Sequence, residues 1–267
     1  MTAVGRYRLA EQRRLADENL VAAFDLVRRH VGDPRARMER FGAVVAIRTG
    51  IDIGFYNPVL ALGFCAALDD VVAAMDGIES AGLPTSVHLS ADADAALGAD
   101  LIARRLERDP WVTPVMALQL TRALLPTTGP AELRIRTGGD ELFEDWHTAV
   151  GQSTVFRRVI GPDFMADGAV RVAVGDLDGE PVGHAAVVGS GRTIGVYAVG
   201  TLPHARRRGY GRAITRAAIA AGVAAWGGDL AILQSSEVGV PVYASMGFVE
   251  IDRIAEYGRP RASAGAA

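Results

Sequence analysis

Residues 206–211 read Arg206-Arg207-Arg208-Gly209-Tyr210-Gly211, a spacing suited to holding an anion. An apolar, β-prone run, Ile194 to Val199, precedes them and predicts a buried strand. Gly200 to Ala205, with Thr201 and Pro203, predicts a turn. Arg212 to Val223 is alanine-rich and predicts a helix. Gly209 and Gly211 therefore fall where that helix begins. Without side chains they leave amide N–H groups open, and the helix dipole adds partial positive charge there. The arginines add fixed charge, so the expected ligand is a phosphate or pyrophosphate. A second stretch, 230–250, follows downstream and carries a tyrosine. Leu230 to Leu233 predicts a short strand ending in Gln234, Ser235 and Ser236, and Pro241 suits the first turn of a short helix. Gly247 suits that helix's C-terminal cap, Phe248 opens a last strand, and Tyr243 lies within the single turn.

Two familiar phosphate loops do not fit. A Walker A loop needs a Gly-Lys-Ser/Thr ending, and this loop has no lysine. A dinucleotide fingerprint needs a third glycine where Ile214 stands, and an acidic residue where the next strand ends in Gln234 and Ser235. The stretch instead resembles motif A of the GNAT acetyltransferases, Arg/Gln-x-x-Gly-x-Gly/Ala, filled by Arg206, Gly209 and Gly211 with Val199, Thr201 and Pro203 upstream. Residues 230–250 resemble the second half of the same domain, with its strand, tyrosine-bearing short helix and Gly-Phe pair. The resemblance covers residues 131–258.

The resemblance implies acetyl-coenzyme A as cosubstrate, bound by Ala198, Val199, Thr201, Arg206, Arg207, Arg208, Gly209, Tyr210, Gly211, Arg212 and Ser235. It implies an N-acetyltransferase that passes the acetyl group directly to an amine of a small molecule or peptide. It places a backbone N–H near Val199 on the oxyanion and faces Tyr243 toward the coenzyme sulfur. A phenol titrates near about 10 and a thiol near about 8.5, so Tyr243 can protonate the leaving thiolate. The base stays open among Glu144, Asp145, Glu237 and a water chain. Ser235 and Ser236 stand where the family often has asparagine. A protein that binds acetyl-coenzyme A without turnover is the alternative, and Tyr243 weighs against it.

The elements that must position these groups follow the chain. Residues 8–31 predict an amphipathic helix, with Leu15, Leu20, Ala23, Phe24, Leu26, Val27 and Val31 on its apolar side. Strands are expected at 44–47, 57–62, 87–89 and 111–120, and helices at 69–81 and 92–108, the latter capped by Asp92 or Asp94. Strand, helix, strand, helix, strand over 57–120 repeats the order of 194–254. This predicts two GNAT-like halves in a mixed α/β (α+β) fold, each with a mostly antiparallel central sheet flanked by helices; the alternative is an unrelated α/β or helical domain in front of one catalytic domain. The expected division is a degenerate half, 1–125, a linker at Pro126 to Pro130, a catalytic half, 131–258, and a disordered tail, 259–267. Gly63-Phe64-Cys65-Ala66-Ala67 stands where the first half would need its Arg-x-x-Gly-x-Gly, so that half should hold no pyrophosphate.

In the second half a strand is expected at 133–135, helices at 140–149 and 152–159, and a hairpin of 170–174 with 181–188. Phe143, Trp146 and Phe156 are candidates for the acceptor slot or the core. His184 reads as structural, and His147 and His204 as solvent-facing; the five histidines show no His-Glu-x-x-His metal spacing. A net charge of −3 argues against nucleic acid. The single cysteine, Cys65, sits in an apolar run that predicts burial, and it fits a reducing cytoplasm. No signal-peptide pattern or bilayer-length apolar run is present, so no membrane partner is expected. Monomer and homodimer both remain open.

Overall fold

The computed structural model describes residues 7–63, 65–121 and 129–260. The chain forms two compact units, Met1–His30 with Pro114–Ile251, and Val31–Thr113 with Asp252–Ala267. The expected cut between 125 and 131 follows neither. The first element, α1 (Leu9–His30), belongs to the larger unit and buries Ala16, Asn19, Leu20, Phe24, Leu26 and Val27 along one stripe.

The smaller unit runs β1 (Arg37–Phe41), β2 (Val44–Arg48), β3 (Pro58–Ala61), α2 (Leu68–Glu79), β4 (Ser86–Ser90), α3 (Ala91–Ala103) and the start of β5 (Glu107–Gln119). Its pairs β1–β2 and β2–β3 are antiparallel, and β3–β4 is parallel, with α2 as crossover. Strand β1 is an unpredicted element. Its sequence Arg-Met-Glu-Arg-Phe leaves it largely exposed, so no apolar alternation marks it. The N-cap of α3 is Ser90, whose hydroxyl accepts from the Ala93 N–H at 3.4 Å; neither expected aspartate caps it. Asp94 instead accepts from the Tyr257 hydroxyl at 2.5 Å and from Arg108 at 2.8 Å. Cys65 is exposed in a turn and not buried as its apolar neighbours predict.

The larger unit continues β6 (Arg134–Gly138), α4 (Phe143–Val150), α5 (Thr154–Val159), α6 (Pro162–Ala166), β7 (Val170–Leu177), β8 (Glu180–Ser190), β9 (Thr193–Thr201), α7 (Tyr210–Trp226), β10 (Leu230–Gln234), α8 (Val240–Ser245) and the start of β11 (Val249–Gly258), whose residues from Asp252 on belong to the smaller unit. Its antiparallel ladder β6–β7–β8–β9 meets β10 in parallel, with α7 as crossover. The β7–β8 hairpin is longer than expected. Its turn is Asp178-Gly179 alone, both at positive φ, the two-residue geometry that suits strand twist.

The two units close in the same way, each with a strand segment from the other half of the sequence. In the larger unit, residues 115–119 of β5 pair antiparallel with β10. In the smaller, residues 254–258 of β11 pair antiparallel with β4. Each unit therefore ends on the strand that sequence order would assign to the other. Each has its own apolar core. One cluster is built on Ile194, Val196, Tyr210, Ile214 and Leu233, the other on Val59, Val71, Ile78, Leu89 and Tyr257. The expected linker at 126–130 lies mostly, and the tail beyond 260 wholly, outside the described residues. Among the described residues no helix is long and apolar enough to cross a membrane.

Candidate active site

The larger unit's crossover carries the predicted loop. Strand β9 ends at Thr201, a 3-10 turn spans Pro203–Ala205, and α7 begins at Tyr210. Arg207 and Gly209 both have positive φ, 62° and 81°. Such turns aim successive N–H groups to one side. Gly209 is the N-cap of α7, and no side chain caps that end. The first turn of α7 holds no acidic residue, and Arg206, Arg207, Arg208 and Arg212 are exposed around it. Helix α7 therefore opens two residues earlier than predicted, directly after the glycine.

Several predicted side chains are spoken for. The Arg206 Nε donates to the Thr201 carbonyl at 2.9 Å, tying the loop to the end of β9. Tyr210 is buried, and its hydroxyl donates to Glu132 at 2.7 Å, so it offers the loop only its backbone. A Cβ on Gly211 would lie 3.2 Å from the Thr201 hydroxyl, which brings these two together. Ser235 is buried; its N–H donates to the Pro114 carbonyl and its hydroxyl to the Ser236 carbonyl.

The strands part beside this loop. Pairing of β9 with β10 ends at Val196 with Leu233, while β9 runs on to Thr201. There β8 pairs Ala186 with Tyr197 and His184 with Gly200, leaving Ala185 alone against Ala198 and Val199. This is a β-bulge, and Ala198 takes φ 47°, an uncommon value for a residue with a Cβ. Bulges re-aim backbone groups next to active sites, and the strain here falls one residue before Val199. Trp146 is fully buried and donates to the Ala185 carbonyl at 3.3 Å, so it holds the bulge and is not part of an open slot.

Tyr243 lies on α8 just past β10. It is partly buried, packed edge-on against Phe248 at 5.9 Å. A Cβ on Gly239 would meet the Tyr243 ring at 3.1 Å and the Ser235 hydroxyl at 2.7 Å, so α8 brings these three together. Val199 and Tyr243 border the same apolar cluster. Burial raises the Tyr243 phenol above its usual range, which keeps it protonated at neutral pH.

The candidate bases divide. Glu144 is paired with Arg157 at 2.5 Å and held below its ordinary range by that bond. Asp145 is paired with Arg136 at 2.7 Å. The lowered pKa of Glu144 makes it a poor proton acceptor in this state. Glu237 is exposed on the turn before α8. Two histidines differ from or extend the sequence reading. His147 is fully buried, its Nε2 at 2.9 Å from the Ile160 carbonyl, because α4 turns it to the core beside Trp146. His184 is buried as well, edge-on to Trp146 and pressed where a Cβ on Gly200 would be. Burial pushes its imidazole down to about 4, so it is neutral at pH 7. His204 is exposed. Among the described residues no group of three or more His, Cys, Asp or Glu could hold a metal ion.

Known proteins share this fold. The acetyltransferase (GNAT) domain family matches residues 168–250, which hold β7 to α8 and both motifs. A GCN5-related N-acetyltransferase from Kribbella flavida is similar over 97% of each chain, with TM-score 0.71 and 19% identity. A tandem GNAT protein from the clavulanic acid biosynthesis pathway is similar over 92% of this chain and 93% of its own, with TM-score 0.60 and 14% identity. A GCN5-related N-acetyltransferase from Sphaerobacter thermophilus is similar over 80% and 76%, with TM-score 0.55 and 17% identity. No curated protein matches the chain. The fold is that of the GCN5-related N-acetyltransferases, tandem members included, and it supports acyl transfer in general.

Proposed function

We propose that this chain, which carries a GNAT acetyltransferase domain at residues 168–250, moves an acetyl group from acetyl-coenzyme A to an amine of a small molecule or peptide. The observation that carries the reading is the uncapped N-terminus of α7. It is glycine-opened, flanked by four arginines and set at the end of a strand that has just parted from its neighbour. That arrangement suits a pyrophosphate on the Arg206–Gly211 amides and an acyl arm running back toward the bulge.

The reaction then uses the chain's own groups. The amine adds to the thioester carbon, and the carbonyl electron pair moves to oxygen, where the Ala198 and Val199 amides are assigned to receive it. The tetrahedral adduct collapses, the C–S bond breaks, and the thiolate takes a proton from Tyr243, which solvent restores. The proton lost by the amine goes to water or to a group outside the arginine-paired Glu144 and Asp145. A cytoplasmic location belongs to the same reading and rests on cysteine usage. The smaller unit serves as scaffold and takes no coenzyme.

Tyr243→Phe tests the chemistry. Its turnover, read as thiol release from acetyl-coenzyme A with an amine panel, should fall by about a hundredfold to ten-thousandfold, toward the low end because a thiolate is a good leaving group, with coenzyme affinity unchanged. Wild-type activity should decline only above pH 10, because the phenol's raised pKa delays loss of its proton, and the variant should lack that limb. Equal turnover and an identical alkaline limb would return Tyr243 to a packing role. Acetyl-coenzyme A bound tightly with no product from any amine would favour a binding protein.

A further inference from the structure

We propose that Asn19, in the middle of α1, is a positioning residue for acetyl transfer: it pins β9 where that strand leaves β10 and so aims the Ala198 and Val199 amides. The inference rests on the acetyl-transfer reading, but its geometry stands without it. Asn19 is fully buried on the apolar stripe of α1. Its amide nitrogen donates to the Val188 carbonyl at 3.1 Å and to the Thr193 hydroxyl at 2.9 Å. Its oxygen accepts from the Tyr197 hydroxyl at 2.7 Å. The Val188 carbonyl can only accept, which fixes the amide's orientation and makes the phenol the donor. Gly195 has no side chain because a Cβ there would collide with the Asn19 oxygen and press on the Tyr197 ring. Burial raises the Tyr197 phenol far above its ordinary range, so it stays a donor at any working pH.

Placement gives these bonds a consequence. Val196 is the last β9 residue paired with β10, Tyr197 follows it, and Ala198 is the bulge. The Tyr197 ring is thus the final anchor before the strand turns away, and Asn19 is the partner its hydroxyl finds. Trp146 holds the facing β8 residue through the Ala185 carbonyl. The bulge is clamped from both strands by groups on two different helices. A displacement of about 1 Å at such a centre is enough to cost about a hundredfold in rate.

The test uses the full-length chain, acetyl-coenzyme A labelled with carbon-13 at the acetyl carbonyl, and the variants Tyr197→Phe, Asn19→Asp and Asn19→Leu. In the wild type an amide hydrogen bond should shift the bound carbonyl's infrared band to lower frequency. In Tyr197→Phe and Asn19→Leu the band should move back toward the free position while the Kd changes less than about threefold, a difference a uniform binding role would not produce. Hydrogen exchange should rise at least about tenfold over residues 197–201 and stay within about twofold over 170–177. Asn19→Asp, which keeps the acceptor for Tyr197 but loses both donors, should lie between. A wild-type band with wild-type exchange overturns the proposal, as does uniform loss of protection across the larger unit, which marks a purely structural asparagine. If the wild type binds no acetyl-coenzyme A, the acetyl-transfer reading fails instead, and the exchange pattern alone decides whether Asn19 pins the strand.

Discussion

The two units contain the same crossover, a strand, a helix and a parallel strand, and differ at the point where the helix begins. In the smaller unit β3 leads through Gly63 and Cys65 to α2, whose N-cap is Ala67 and whose first turn holds Asp69 and Asp70. Two carboxylates already sit against the positive end of that helix and would repel a phosphate. In the larger unit α7 opens at Gly209 with no acidic residue in its first turn and arginines on the approach. The topology is shared, and a few side chains decide which helix end is filled from within and which is left for a ligand. The two helix starts thus differ in local charge and in the glycines Gly209 and Gly211.

The largest expected effect concerns what each unit needs to exist. Residues 131–260 expressed alone would lack α1 and the 114–119 part of β5, both of which the larger unit buries. The fragment should show no cooperative thermal transition and should bind hydrophobic dye. A cooperative melt from that fragment would show that the strand exchange is dispensable.

A second effect separates the units by pH. His184 has a folded pKa near about 4, below the usual 6.5, so below pH 6.5 protons favour the unfolded state. Its contribution is complete above pH 6.5 and is lost as the pH falls toward 4; His147 is shifted in the same direction by burial. In the smaller unit His88 behaves like His184, with a value near about 4. There Glu256, raised to about 7 by burial and by Asp109, acts oppositely: its contribution is full below pH 4.5 and lost as pH rises through 7. Between pH 6.5 and 4.5 the larger unit should therefore weaken by the order of 1–3 kcal/mol, and the smaller one much less. Native-state hydrogen exchange over 180–190 and 86–90 checks this, and His184→Gln should flatten the first slope. Equal slopes in both segments would contradict it.

The smallest effect is at α2. Asp69→Asn with Asp70→Asn should cost about 0.3–1 kcal/mol per charge at low salt and leave acetyl-coenzyme A affinity unchanged. Chemical denaturation at two ionic strengths measures it. A gain of a second coenzyme site in that variant would mean that charge alone separates the two crossovers.

Much of this was legible in the chain. Arg206, Gly209 and Gly211 are common residue types, and what marks their loop is context: a strand before it, a helix after it and a second motif downstream. The crossover order, the long amphipathic first helix and the β7–β8 hairpin follow from periodicity and turn chemistry. The exchange of closing strands was not legible, because β5 and β11 occupy the same places in sequence order whichever sheet receives them. Cys65 and His147 were misplaced for a related reason: an apolar neighbourhood or a polar residue type does not say which way a turn or helix faces. Asn19 left one usable signal. It stands four residues after Leu15 and four before Ala23, inside the apolar stripe, where a polar residue needs a buried partner.

The central claim is that one crossover of the two holds the coenzyme. Calorimetric titration of the full chain with acetyl-coenzyme A tests it most directly, run beside Gly211→Glu, which sets a carboxylate in the cradle at a position whose φ any residue can adopt. One molecule bound per chain in the wild type, with affinity weakened at least about a hundredfold in the variant, or about 2.7 kcal/mol, is the predicted result. Two molecules per chain, or undiminished binding in Gly211→Glu, would contradict it.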